Sequence, residues 1–471
     1  MIFELMLFNT PVFFLFFLIV ICLFYSFKTE YRKFILLISS YLFYSFWDFR
    51  FLILILISTQ VDYFVGSKIY KSKNKRIKKI YLITSIITNI GILGFFKYYN
   101  FFIDSFSILM GYSSTPYTLN IILPVGISFY TFQTLSYTID IYQNKCNPAK
   151  SWVDFSNFVA FFPQLVAGPI ERARYLLPQI EKCEKATRNQ IFSAFYLLFL
   201  GYVKKVLISD NIAPTIDIYF ENFIELSSIY LLSGLMLFSI QIYFDFSGYS
   251  DIARGLAKLM GIDLMVNFKQ PYFSSSPSEF WKRWHISLST WLRDYVYIPI
   301  GGNRRSFIRT LYNLMITMLL GGLWHGASWN FILWGGIHGF YLILDKIFIQ
   351  MEIFQSISSK LKKTKIIIFY FLILFTWIPF RTTDIASSIL FFEKIIFWTG
   401  GIDIGELLFL FFIYSLLISI DYPAFKLNDD LFLRKFPNWF SGVIISLGIF
   451  GIIFSMVTQS SSARPFIYFQ F

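Results

Sequence analysis

The chain has 471 residues, 56% hydrophobic and 21% aromatic, with only 15% charged. A soluble domain is about a quarter charged, so this composition excludes an ordinary water-soluble globule. Its long apolar blocks equally exclude the strict alternation of an outer-membrane barrel. The formal net charge is +13. The basic residues gather in the segments between apolar blocks, which positive-inside topology explains without a nucleic-acid partner.

Taken in chain order, the N-terminal MIFELMLFNTPVFFLFFLIVICLFY has neither a basic leader nor a small-residue cleavage site. It reads as a retained first span. Apolar runs fall near 11–27, 34–48, 51–66, 80–98, 121–143, 153–167, 191–209, 228–247, 311–323, 329–349, 365–381, 405–421 and 440–458. Several are shorter than the roughly 20 residues of a full span, so about 11–13 membrane segments are expected, some of them buried, tilted or re-entrant. The basic stretches KTEYRK (28–33) and KIYKSKNKRIKK (68–79) are separated by a near-neutral WDFR (47–50). If both basic stretches are cytoplasmic, the N-terminus is extracytoplasmic. Cys22, Cys146 and Cys183 make neither a disulfide framework nor a metal cage, and Cys22, inside an apolar run, is expected in the core. No internal repeat or linker is evident. The expectation is one all-α, polytopic integral membrane domain over 1–471.

The region 248–310 breaks the apolar pattern. It opens within YFDFSGYSD (243–251) and contains FWKRWHISLSTWLRDYVYIPIGGNRR (280–305). Trp281, Trp284, Leu288, Trp291 and Tyr295 recur at steps of three and four, which predicts one face of a helix over 281–295. Lys282, His285 and Ser289 form its other face, as in an amphipathic helix at the membrane interface. An aromatic belt with snorkelling cations accounts for the tryptophans but not for His285.

The chain has three histidines. His325 lies in GGLWHGASWN (321–330) and His338 in GGIHGF. Burial disfavours the charged imidazole, so a neutral His325 suits a general base; a hydrogen bond to a neighbouring helix is the rival reading. Gly321, Gly322, Gly326, Gly335, Gly336 and Gly339 let helices approach closely and would also leave room for a substrate chain. His338 is the weaker candidate, since 13 residues of continuous helix place it roughly 20 Å from His325. No H-x-x-x-H pair or cysteine cluster points to a metal. No G-x-S-x-G or G-x-x-x-x-G-K-[ST] points to a serine hydrolase or a nucleotide-driven pump. IPIGGNRR (298–305) could hold phosphates, and a turn before a basic cluster explains it equally well.

YFDFSGYSD, WKRWHISLSTWLRDYVYIPIGGNR and GGLWHGASWNFILWGGIHG resemble the membrane-bound O-acyltransferase family, in particular its bacterial branch that O-acetylates exported polysaccharides such as alginate and peptidoglycan. GISFYTFQTLSYTIDIY (126–142), FPQLVAGPIER (162–172) and PFIYFQF (465–471) are similar to the same branch. The likeness covers most of the chain and is densest over 241–339. It implies membrane helices, with re-entrant and interfacial helices, around a central funnel. It implies His325 as the catalytic base and His285 as the second polar residue, orienting a thioester or donating to its oxyanion. It points to Lys282, Arg283, Trp284, Arg304, Arg305 and Trp324 as substrate-binding residues.

The reaction so implied needs no metal and no bound cofactor. Acetyl-coenzyme A would be the donor. A polysaccharide, or an extracytoplasmic esterase-like partner transferase, would be the acceptor across the bacterial cytoplasmic membrane. D-alanyl or other acyl transfer to teichoic acid, lipid or protein is the alternative within the family, and IPIGGNR is less typical of the D-alanyl branch. A non-enzymatic glycan exporter is the alternative outside it.

Overall fold

Nine helical stretches are long and apolar enough to cross a membrane among the described residues of the computed structural model. Those residues are 6–112, 117–165, 168–349, 362–458 and 464–469. They contain helices and turns but no strand, as the apolar blocks require: in hydrocarbon a helix satisfies its own backbone groups. One stretch, Thr29–Lys71, comprises two 20-residue helices. They part at Asp48, whose backbone is extended and whose carboxylate accepts the Arg50 N–H at 2.9 Å.

Several apolar runs are not long spans. The first forms Pro11–Ser26, only 16 residues. The run 121–143 yields Ile127–Tyr142, nearly every side chain of which is buried, and 153–167 yields the short Trp152–Ala160 and Phe162–Leu165. The expectation for Cys22 is corrected: it is exposed on Pro11–Ser26, while Cys183 is buried. An apolar helix in a bilayer turns apolar residues outward, so an apolar run does not by itself mark a protein core.

Contacts group the chain into two compact units. The first comprises 1–200, 249–265 and 461–465. Its helices Leu52–Lys71, Lys75–Leu93 and Ile127–Tyr142 share a buried polar seam. The Asp62 carboxylate accepts from the Ser85 hydroxyl (2.6 Å) and the Asn89 amide (2.7 Å), and Asn89 Oδ1 accepts from Ser58 (2.7 Å) and Thr134 (3.1 Å). Saturated hydrogen bonding of this kind joins helices where apolar burial gives no preference for protein over lipid. The basic 28–33 stretch is partly engaged: Lys33 pairs with Asp154 at 2.6 Å, and Arg32 donates to the Cys183 carbonyl at 3.1 Å. Glu171, within FPQLVAGPIER, accepts the Met265 N–H at 2.6 Å, and burial pushes its carboxyl up to about 7.

The second unit comprises 201–248, 266–460 and 466–471. Phe307–His325 and Trp329–Ile349 pack closely against each other within it. A Cβ on Gly322 would overlap the Phe331 carbonyl oxygen, and one on Gly335 the Met318 carbonyl oxygen. A Cβ on Gly326 would overlap the Phe331 ring. These glycines are filled by neighbouring atoms. They serve backbone contact between helices, and the room for a substrate chain expected of them is not found there.

Candidate active site

The region 277–297 is not one helix. Pro277–Trp281 starts with Ser276 as its N-cap, accepting the Glu279 N–H at 3.2 Å, and Pro277 at the first position, the usual chemistry of a helix start. It stops after one turn. His285 adopts the left-handed conformation, φ 42° and ψ 54°, and a new helix, Ile286–Leu292, begins after it. A π-helical turn, Arg293–Tyr297, follows.

The expectation of a continuous amphipathic helix with Lys282 and His285 on one polar face is therefore corrected. Lys282 is exposed, whereas His285 is fully buried beside Trp284. Trp281, Trp284, Leu288 and Trp291 are all buried as well. Their spacing reported burial correctly, but the helix between them breaks at His285.

His285 caps the helix that follows it. Its Nδ1 accepts the Leu288 N–H at 3.4 Å, so the ring proton sits on Nε2. Nε2 is buried and has no hydrogen-bond partner among the described residues. Burial pushes the ring pKa down to about 3. His285 is thus a neutral imidazole presenting an N–H donor.

His325 is the last residue of Phe307–His325, followed by Gly326 in extended backbone. Its side chain is buried among rings: Trp334 at 4.9 Å, Trp324 at 5.2 Å, Tyr468 at 5.4 Å and Phe380 at 5.5 Å between centroids. The His285 and His325 rings lie 6.3 Å apart, at 68° to each other. Phe246 closes the other side, 4.6 Å from His285 and 4.7 Å from Tyr468. Two buried imidazoles share one chamber of aromatic rings. In such surroundings a single hydrogen bond to a developing charge is worth far more than in water.

The chamber is completed by residues that sequence reasoning did not single out. Tyr468 and Phe466 come from the C-terminal segment, which the Asp245 carboxylate holds by accepting the Ile467 N–H at 2.7 Å. Lys205 pairs with Asp245 at 2.6 Å and with Asp210 at 2.8 Å, all three side chains almost wholly buried. The signal for Asp245, Phe466 and Tyr468 was present in YFDFSGYSD and PFIYFQF, which carry them without naming a role, whereas Lys205 and Asp210 lie in neither motif. Gln470 and Phe471 of the latter motif lie outside the described residues.

Of the other expected site residues, Trp324 belongs to the chamber, 5.7 Å from His285. Trp284 lies in the core beside it, against Phe268 and Trp377 at 5.1 Å each. Arg283 is occupied: it pairs with Glu279 at 3.0 Å, donates to the Lys269 carbonyl at 3.1 Å and lies over the Phe425 ring. Lys282, Arg304 and Arg305 are exposed, and none contacts either chamber histidine among the described residues. The estimate that separated His338 from His325 is overturned. The two helices fold back on each other, so the Trp334 ring touches both, 4.9 Å from His325 and 4.5 Å from His338. His338 itself is stacked on Phe280 and packed against Trp281. No group of three metal-ligating side chains occurs among the described residues.

Residues 149–383 match the family model described as MBOAT, membrane-bound O-acyltransferase family. The chain is 40% identical over 406 residues to a probable alginate O-acetylase, AlgI, of Pseudomonas aeruginosa, covering 85% of this chain and 77% of that protein. It is 36% identical over 416 residues to the peptidoglycan O-acetyltransferase of Helicobacter pylori, covering 82% and 78%. The teichoic acid D-alanyltransferase of Bacillus subtilis is 28% identical over 234 residues, covering 46% and 58%.

Proposed function

The chain belongs to the membrane-bound O-acyltransferase family, and from that premise we propose that it transfers an acetyl group from cytoplasmic acetyl-coenzyme A to a hydroxyl of an exported cell-envelope polysaccharide, or of an extracytoplasmic partner transferase. Its setting would be the bacterial cytoplasmic membrane, which it enters as a multi-pass protein. The acetyl reading is favoured by the greater identity and coverage of the relatives named for alginate and peptidoglycan O-acetylation than of those named for D-alanyl transfer.

The observation that carries the mechanism is the buried histidine pair. His325 takes the proton of the acceptor hydroxyl as its oxygen attacks the thioester carbonyl carbon. Negative charge moves onto the carbonyl oxygen, and His285 donates from Nε2–H to that oxyanion. Collapse of the tetrahedral intermediate breaks the C–S bond. The coenzyme A thiolate leaves and receives the proton from the His325 imidazolium. A thioester is already activated, so the site needs a base, a donor and orientation only. Residues for the coenzyme A phosphates are proposed among Lys282, Arg304 and Arg305, whose charges are exposed and without ion-pair partners among the described residues.

The test is coenzyme A release by purified protein given acetyl-coenzyme A and a glycan or partner acceptor, wild type beside His325→Gln. Acceptor-dependent release lost in the variant supports the reading. Wild-type protein that moves glycan across vesicles and never releases coenzyme A is an exporter instead.

A further inference from the structure

Three consecutive backbone amides explain why the 277–292 region breaks at His285. In a continuous helix Ile286, Ser287 and Leu288 would donate to the carbonyls four residues earlier. Here Ile286 N–H donates to the Asn267 carbonyl at 2.9 Å, and Ser287 N–H to Asn267 Oδ1 at 3.1 Å. Leu288 N–H goes to His285 Nδ1. The helical pattern resumes with Ser289 N–H on the His285 carbonyl at 2.9 Å. Just upstream, Lys269 N–H donates to the Arg283 carbonyl at 2.9 Å, so residues 267–269 flank both sides of the Trp284–His285 pair. Asn267 is 1% exposed.

We propose that Asn267 is a positioning residue for the reaction, holding His285 in its left-handed backbone conformation and in the Nε2–H tautomer. The left-handed state is disfavoured for a residue bearing a Cβ, and the aromatic spacing of 281–292 favours an uninterrupted helix, so something must hold the break open. Asn267 does so by accepting the two amide protons that the helix would otherwise use.

Asn267 acts on the tautomer through the turn that it holds. The Ser287 hydroxyl donates to Asn267 Oδ1 at 2.9 Å, although His285 Nδ1 is only 3.4 Å from the same hydroxyl. The Leu288 N–H on Nδ1 is what places the ring proton on Nε2, and the Asn267 contacts hold the turn that presents that N–H. The assignment of the Asn267 amide is secure, because the atom receiving the Ser287 N–H must be an oxygen. The functional weight of the proposal rests on the acyl-transfer reading, but its geometry does not.

The experiment reads the tautomer directly. The chain has three histidines, so imidazole 15N signals of the protein in detergent are few, and those of His285 are assigned by their loss in His285→Ala. Wild type should show one neutral His285 tautomer, protonated at Nε2, between about pH 5 and 8. Asn267→Ala should mix or invert the tautomer and lower kcat roughly 10–100-fold, as loss of an outer partner of a functional histidine does, with KM for the donor little changed. Asn267→Asp keeps an oxygen acceptor and should restore the tautomer and most of kcat. Asn267→Gln displaces the acceptor by one methylene and carries the alanine expectation where that variant does not fold. Unchanged His285 signals in Asn267→Ala or Asn267→Gln, or the same tautomer loss in Asn267→Asp, would overturn the proposal. A tautomer shift in a protein whose wild type releases no coenzyme A would sink the acyl-transfer reading and leave this assignment standing.

Discussion

His285 and His325 come from different elements, a left-handed linker and a helix C-terminus, and meet with their rings 6.3 Å apart. Their surroundings give them different work. The His285 Nδ1 is used by the helix that follows, which leaves Nε2–H as a donor. His325 is walled by the Trp334, Trp324, Tyr468 and Phe380 rings at the end of its helix.

Removal of the base should be separable from removal of packing. His325→Gln and His325→Ala should each lower acyl transfer by about 10²–10⁴-fold. The alanine variant should also lower stability, by about 2–4 kcal/mol, because the ring packs against four aromatic side chains. Activity and thermal melting of both variants in detergent check this. Near-normal turnover in His325→Gln would remove His325 from the reaction.

His338 provides the comparison. It touches Phe280, Trp281 and Trp334 and is expected to act through packing. His338→Ala should lower the melting temperature and retain much more activity than His285→Ala. Equal activity losses in two folded variants would erase the distinction.

Acid should destabilise the fold through His285. Its folded pKa, about 3, lies below the ordinary 6.5. The unfolded state therefore binds the extra proton between those values, so stability rises with pH across that window and is lost as pH falls from about 6.5 towards 3. His285→Asn keeps a cap acceptor and tolerates the left-handed conformation, so its melting temperature should depend less on pH there. An identical pH dependence in wild type and variant would contradict the buried, neutral ring.

The charge cluster behind the chamber should be sensitive to one-sided removal. Lys205→Met strands Asp210 and Asp245 in a buried site and should cost about 3–5 kcal/mol. Asp245→Asn on top of it removes one stranded charge and keeps an oxygen for the Ile467 N–H, so it should recover part of the loss. Melting temperatures of the single and double variants decide whether the pair is coupled.

Topology follows from charge. Ser72, between two basic helix ends, is expected on the cytoplasmic side. Ser72→Cys in a background without Cys22, Cys146 and Cys183 should be labelled by an impermeant thiol reagent only from that side of sealed vesicles. Labelling from the outside would invert the arrangement.

Membrane residence, helical class and the family were legible in the sequence because each rests on local information. Hydropathy is a sum over neighbouring residues, and the motifs around His285 and His325 are contiguous. The burial of Trp281, Trp284, Leu288 and Trp291 was legible for the same reason. What the sequence could not decide was the backbone between them, since the break at His285 depends on where Asn267 places its oxygens. Nor could spacing tell that His338 folds back to share Trp334 with His325, or that Cys22 faces outward. Tyr468 reaches the chamber from far along the chain, where Asp245, paired with Lys205, accepts the Ile467 amide and Phe246 packs on its ring. These facts belong to the tertiary structure because each depends on hydrogen bonds or ring contacts between residues whose separation along the chain carries no energy of its own.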